Sequence, residues 1–292
     1  KESALFLKII IQIILNLTYF KYTFMLYFSI YYMPNQDESD RPTLGLVCGE
    51  QYSLIIDCGN STQHAKEFLE EIKKLNVPPI KYVVITHAHW DHFLGMNEFD
   101  ATVIVNSHTN ELLKVWQSYT FDDSSLQTYA QSKVMSEKCI EIIQAEIPNR
   151  DHFRLNAPHI IFEKTLTLDL GNKIIELEKI YSTHSDDATI IYIPDEKVLF
   201  LGDCVYGTTK NSLFHYKQSL LIPMIEDVQK YDAEAFLLGH ESICDLEEMT
   251  TFWRDLRAAC KAVNTSSLEE VLESFKLENN RTPNDDELFF IK

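Results

Sequence analysis

Four times along this chain a histidine or an aspartate follows closely on an apolar run, and that recurrence limits the folds open to it. Tyr82-Val83-Val84-Ile85 leads into Thr86-His87-Ala88-His89-Trp90-Asp91-His92. Val198 to Leu201 leads through Gly202 to Asp203, and Ala235 to Leu238 leads through Gly239 to His240. His184 lies in the turn-rich stretch Tyr181 to Asp187, after one apolar run and before the next, Thr189 to Ile193. Short β-branched and aliphatic runs closed by glycine or polar residues read as buried strands. A chain that puts ligating groups at the ends of separate buried strands needs a sheet that gathers those ends at one edge.

The first cluster is the densest. His87, His89, Asp91 and His92 fall within one short stretch. In an extended or turning backbone, residues two apart point the same way. His87 and His89 can therefore converge on one ion while Asp91 and His92 turn toward another. Imidazole and carboxylate suit zinc, and iron or manganese less exclusively. A lone histidine is usually a surface or satisfied core residue. Four ligand-type side chains together are different: an aqueous loop has no use for them, and a dry core could not satisfy them.

His87-x-His89-x-Asp91-His92, followed by His184, Asp203 and His240, resembles the five-motif signature of the metallo-β-lactamase superfamily. Leu54-Ile55-Ile56-Asp57-Cys58-Gly59 is similar to its first motif, and the likeness runs from about Leu44 to His240. The resemblance implies an α/β fold, the four-layer αββα sandwich, with a two-metal site at one edge. It implies that His87, His89 and His184 hold the first metal and that Asp91, His92 and His240 hold the second. Asp203 would bridge them. Two zinc ions per chain are expected, with iron or manganese as alternatives. Asp57 is either a support for the site, since carboxylates orient ligating histidines, or an ordinary turn residue.

The implied activity is that of a metallo-hydrolase. A metal-bound hydroxide at a dinuclear site would cleave an ester, thioester, lactone or amide-type bond of a small molecule. The expected catalytic residues are Asp203 and Asp91, the latter also able to accept a proton from the attacking water. A di-iron redox enzyme of the same fold and a true β-lactamase are the alternatives. β-Lactamases of the superfamily commonly carry a lysine three residues after the position of Asp203, whereas this chain has Tyr206 there, with Lys210 the nearest lysine. Feeble β-lactam turnover follows. Tyr206 reads either as a neutral donor to an uncharged substrate or as packing at the sheet edge.

Composition bounds the partners. A net charge of −18 argues against nucleic acid or another polyanion as main partner. It does not forbid a small anionic substrate, because metal ions dominate their local field. The cysteines Cys48, Cys58, Cys139, Cys204, Cys244 and Cys260 show no paired spacing, which suits reduced thiols in the cytoplasm. Cys204 reads as a strand-end residue facing away from Asp203, with a thiolate ligand as the alternative. Oligomeric state is not legible.

The expected organisation has three parts. Residues 1–22 form a hydrophobic N-terminal segment. Residues 23–245 form the main domain, with a helical insertion at about 107–146, and residues 246–292 form a C-terminal helical extension on the same domain. Ile9 to Tyr32 is almost continuously apolar. It lacks a clear cleavage site for a signal peptide, and Lys21 lies near the middle of any membrane span. A strand over Phe24 to Met33 is therefore the preferred reading. Export or anchoring through residues 1–32 is the alternative to a cytoplasmic location. Helices are expected at Gln63 to Leu75, Thr109 to Gln117, Leu126 to Ala145, Leu220 to Tyr231, Leu246 to Val263 and Leu268 to Leu277. Strands are expected at Thr102 to Val105, Ile160 to Phe162, Thr165 to Leu170 and Lys173 to Ile180, the last two joined by a Gly171-Asn172 turn.

Overall fold

The computed structural model describes residues 24–27, 29–210, 213–263 and 267–292. The expected N-terminal segment, 1–22, lies outside the described residues. Among those described, no helix is long and apolar enough to cross a membrane.

Two mixed sheets face each other. The first has seven strands in chain order: β1 (Phe24–Tyr27), β2 (Ile30–Met33), β3 (Leu44–Cys48), β4 (Ser53–Ile56), β5 (Ile80–Val84), β6 (Thr102–Asn106) and β7 (Ile160–Phe162). Its pairings are antiparallel up to β4 and parallel from β4 to β7. The second contains β8 (Thr165–Asp169), β9 (Ile174–Lys179), β10 (Thr189–Ile193), β11 (Val198–Gly202), β14 (Ala235–Leu238) and β15 (Cys244–Asp245), in the order β15-β14-β11-β10-β9-β8. A small hairpin, β12 (Thr208–Lys210) with β13 (Leu213–His215), stands apart. The expected single strand over Phe24 to Met33 is instead the β1–β2 hairpin.

Strand alternation builds the layers. Leu54 and Ile56 of β4 meet Phe200 and Val198 of β11 in the apolar cluster between the sheets. The intervening Ile55 packs outward with Ala65, Phe68 and Ile72 of helix α1 (Thr62–Ile72). Leu199 and Leu201 of β11 point the other way, toward Leu221 and Met224 of a helix over Gln218–Val228 and toward Met249, Trp253 and Leu256 of another over Leu246–Ala262. Both faces of these strands are covered, so they read as unbroken apolar runs rather than alternating ones. The result is the expected αββα sandwich.

The remaining helices are α2 (Trp90–Phe93), α3 (Ser107–Gln117), α4 (Asp123–Gln131), α5 (Glu137–Glu146), α6 (Gln218–Val228), α7 (Leu246–Ala262), α8 (Leu268–Asn279) and α9 (Asp285–Ile291). The single helix expected over Leu126 to Ala145 is two, α4 and α5. Lys133 between them takes a left-handed φ of 57°, and the Ser136 hydroxyl accepts from the Cys139 N–H to start α5 afresh. That capping serine outweighs the apolar periodicity running across the break. α9 was not expected from periodicity, although Asn284 and Glu287 form a reciprocal capping box at its start.

Parallel pairing positions the site. β11 and β14 run side by side, with Gly202 opposite Leu238, so Asp203 and His240 emerge next to each other. Thr86, just after β5, accepts at its carbonyl from Thr189 N–H of β10 at 2.7 Å, which ties the two sheets together at the same edge.

Candidate metal centre

The backbone around the cluster is shaped by close approaches. Gly202 has φ of 52°, and a Cβ there would lie 2.8 Å from the Thr86 hydroxyl. At Gly239 a Cβ would fall 1.9 Å from Asp203 Oδ1. Both positions therefore require glycine, and both directly precede a ligand-type residue.

The structure brings all seven expected residues together in two groups. His87, His89, His184 and Asp203 form one, and Asp91, His92, Asp203 and His240 form the other, each with its ligand atoms within 4.8 Å of one another. Asp203 belongs to both. Its Oδ2 lies 3.4 Å from His92 Nε2, 3.5 Å from His184 Nε2, 3.5 Å from His240 Nε2 and 3.9 Å from His87 Nε2. His89 turns its Nδ1 inward, 2.8 Å from His184 Nε2. His240 Nε2 lies 3.0 Å from Asp91 Oδ2.

The imidazoles are held from behind. The Asp57 carboxylate sits 2.8 Å from His92 Nδ1 and accepts from the Thr86 N–H at 2.7 Å and the Thr86 hydroxyl at 2.8 Å. Asp57 is buried at a left-handed φ of 60°. Of its two readings the supporting one holds. His184 Nδ1 lies 2.9 Å from the Gly207 carbonyl, so Nδ1 carries the proton and Nε2 faces inward. Sequence reasoning missed Asp187. Its buried carboxylate accepts from Ala88 N–H at 2.8 Å, from the Thr109 hydroxyl at 2.9 Å and from Ser185, pinning the His87–His92 loop to the His184 loop. No local pattern marks it, because Ala88 and Thr109 come from distant parts of the chain.

Electrostatics follow from burial and crowding. Burial, with the neighbouring His92 and His89, holds the pKa of His87 well below the ordinary histidine value. Burial also opposes charge on His92, but Asp203, Asp91 and Asp57 outweigh it and hold its pKa well above that value. His240 is likewise pushed up to about 10, its desolvation outweighed by Asp203 and Asp91. Asp203 is lowered despite its burial, chiefly by His92 and His240. His87 Nε2, His92 Nε2 and Asp203 Oδ1 are buried without a hydrogen-bond partner. Buried polar atoms are costly when unpaired, and these lie in one cluster of imidazoles and carboxylates. Divalent cations fit this donor set.

Cys204 lies among Leu199, Leu201 and Leu221 in the apolar layer under α6 and α7. Burial, and then Asp203, push its thiol pKa up, which disfavours a thiolate ligand. Tyr206 lines the cavity at the cluster, and its hydroxyl accepts from the His240 N–H at 3.2 Å. It thus steadies a ligand backbone rather than merely packing. The side chain of Lys210 lies outside the described residues.

The sequence model of the metallo-beta-lactamase superfamily matches residues 42–240. The chain belongs to the metallo-β-lactamase superfamily, and its class is that of hydrolytic enzymes. It is similar to the linear primary-alkylsulfatase of Pseudomonas sp. (strain ATCC 19151), 23% identical over 171 residues, which are 53% of this chain and 32% of that protein. The chain thus spans about a third of that relative. It is also similar to human acyl-coenzyme A thioesterase MBLAC2, 21% identical over 267 residues, covering 84% of this chain and 91% of that one. Among solved structures, the sec-alkylsulfatase Pisa1 from Pseudomonas sp. has a TM-score of 0.62 at 18% identity, covering 92% of this chain and 47% of that one. A metallo-beta-lactamase from Pontibacter korlensis has a TM-score of 0.57 at 17% identity, covering 80% and 96%. At these identities the structural likeness speaks to the fold alone.

Proposed function

We propose that this chain hydrolyses an ester or thioester of a small molecule at a dinuclear zinc site. His87, His89 and His184 would hold one ion and Asp91, His92 and His240 the other, with Asp203 available to both groups. The observation that carries this reading is Asp203 Oδ2, which lies between 3.4 and 3.9 Å from four inward-facing imidazole nitrogens. When bound, two such ions supply Lewis acidity and bring the pKa of water toward neutrality.

The protein's own groups do the rest. Asp57 fixes His92 and the Gly207 carbonyl fixes His184, so each presents Nε2 inward. Asp91, a member of the second ligand group, also lines the cavity, where its carboxylate can take a proton from the attacking water. Tyr206 lines the same wall, and its partly buried phenol stays protonated because desolvation, and then Asp203, raise its pKa. It can donate to a carbonyl oxygen of the substrate without adding charge. No serine or cysteine nucleophile is needed. Support for a thioester comes from the human thioesterase relative, whose likeness extends over most of both chains. A sulfate ester is the second reading, favoured by the alkylsulfatase relative.

The test is a hydrolysis screen of the zinc-loaded protein with thioester, carboxylic ester, lactone, β-lactam and alkyl sulfate substrates. Thioester or ester turnover should dominate and should be abolished in His184→Ala, with the domain still folded by circular dichroism. Turnover persisting in that variant would refute the assigned ligand set. Tyr206 stands where β-lactamases commonly place a carboxylate-binding lysine, so β-lactam turnover should fall below the ordinary enzyme range of about 10⁴ M⁻¹s⁻¹ in kcat/KM.

A further inference from the structure

A cavity of about 1100 Å³ opens directly from the ligand cluster. His89, Asp91, His184 and His240 line it, and so do Tyr216, Met249, Phe252 and Phe290. The aromatic residues of the lining pack together: Phe252 and Tyr216 lie 5.7 and 5.6 Å from Phe290, centroid to centroid. A second cavity of about 480 Å³ is lined by Leu221, Leu256, Ala259 and Cys260, with Gln218 and Lys292. The two share Tyr216, Phe289 and Phe290. The two cavities therefore adjoin along these aromatic side chains, beside α6, α7 and α9.

The charged part of the first cavity's lining is mostly acidic. Asp37, Asp40, Glu241, Asp245, Glu247 and Asp286 all line it. Lys138 is the one lysine or arginine among the described lining residues, and it lies 3.5 Å from Asp40. A cleft lined by one sign of charge focuses its field and repels like charge.

We propose that this cavity selects an acyl chain long enough to enter the aromatic arm, joined to an uncharged or cationic leaving group, and that it discriminates against polyanionic leaving groups such as coenzyme A. The inference rests on the hydrolase reading of the adjoining cluster. With the scissile carbonyl at that cluster and the chain in the apolar arm, the leaving group emerges among the carboxylates. Each methylene moved from water into the arm favours binding by about fourfold, whereas the phosphates of coenzyme A would face Asp37, Asp40 and Glu241. In the reaction the acyl–sulfur or acyl–oxygen bond breaks. Water supplies OH to the acyl carbon and H to the departing thiol or alcohol, so no oxidant or reductant is involved.

The test uses probes that carry no cleavable bond. S-dodecyl-N-acetylcysteamine and S-dodecyl-coenzyme A are thioethers with the same tail, one uncharged and the other polyanionic. Titration calorimetry on the zinc-loaded protein at low ionic strength should find the uncharged thioether bound at least about tenfold more tightly. That margin should shrink with added salt and in the variant carrying Glu241→Gln with Glu247→Gln. S-methyl-N-acetylcysteamine should bind at least about a hundredfold more weakly than its dodecyl counterpart. In Phe290→Ala, which removes a side chain shared by the two cavities, S-hexadecyl-N-acetylcysteamine should gain on its dodecyl counterpart. Equal or tighter binding of the coenzyme A thioether, affinity independent of tail length, or an unchanged hexadecyl-to-dodecyl ratio in Phe290→Ala would each overturn the proposal. Because no probe is cleaved, the outcome is separate from turnover. A preserved binding preference without any thioester or ester hydrolysis would refute the hydrolase reading and leave the cavity assignment standing.

Discussion

Asp57 is where a single side chain does most to organise the centre. It binds His92 Nδ1 and two groups of Thr86 from a left-handed backbone position. Removing a carboxylate that orients a ligating imidazole typically costs 10- to 100-fold in metal affinity, so Asp57→Ala should weaken the second ion by about that factor. Competition with a chromophoric chelator reads this directly, and an unchanged affinity would reduce Asp57 to a turn residue. The thiols offer a second check. Cys48, Cys58, Cys139 and Cys204 are buried, whereas Cys244 and Cys260 are partly exposed. Burial raises the Cys48 pKa to about 11, with further help from none of its polar neighbours, Ser53 and Lys173, which pull it down. Alkylation of the native protein at pH 8 should label Cys244 and Cys260 and spare the rest until unfolding. At this scale the ligands were legible because their spacing is local, as in His87-x-His89-x-Asp91-His92. Asp187 was not, because its role exists only once Ala88, Thr109 and Ser185 are folded against it.

Among the elements, α5 is tied to the domain by ions rather than by packing alone. Its Glu146 carboxylate receives Arg41 at 2.9 Å and the Ser61 hydroxyl at 2.6 Å, while Arg41 also reaches Glu67 of α1 at 2.7 Å. Arg41 is buried. Breaking a buried pair from one side strands the other charge, so Arg41→Ala should lower stability by about 3 kcal/mol in urea unfolding. A loss under about 1 kcal/mol, the value of an exposed pair, would mean that solvent screens the network. The pH dependence has a definite sign. Burial raises the pKa of Glu67, but Arg41 and Gln63 outweigh it and leave it below the ordinary value. A depressed folded pKa contributes stability above the unfolded value of about 4.3 and loses it as pH falls through the folded one. The gap between wild type and Arg41→Ala should therefore close below about pH 4. Helix periodicity located α1, α6, α7 and α8 in the sequence, but it ran α4 and α5 together because it does not register Lys133 and Ser136.

Across the whole molecule, the order of strands turns a scattered signal into one site. β5, β11 and β14 all end at the same edge, and the parallel pairing of β11 with β14 sets Asp203 beside His240. That convergence was legible in outline, since each apolar run stops shortly before its ligand. The acidic, aromatic cavity was not, because Asp37, Glu241 and Phe290 are far apart in sequence and meet only after α9 has docked on α7. Seven residues form two ligand groups that share Asp203. Elemental analysis after zinc loading and desalting tests it most directly. It should find about two ions per chain for the wild type, as dinuclear hydrolytic sites hold, and a clear deficit at both groups for Asp203→Ala. A wild-type protein that retains one ion or none after full loading would contradict it.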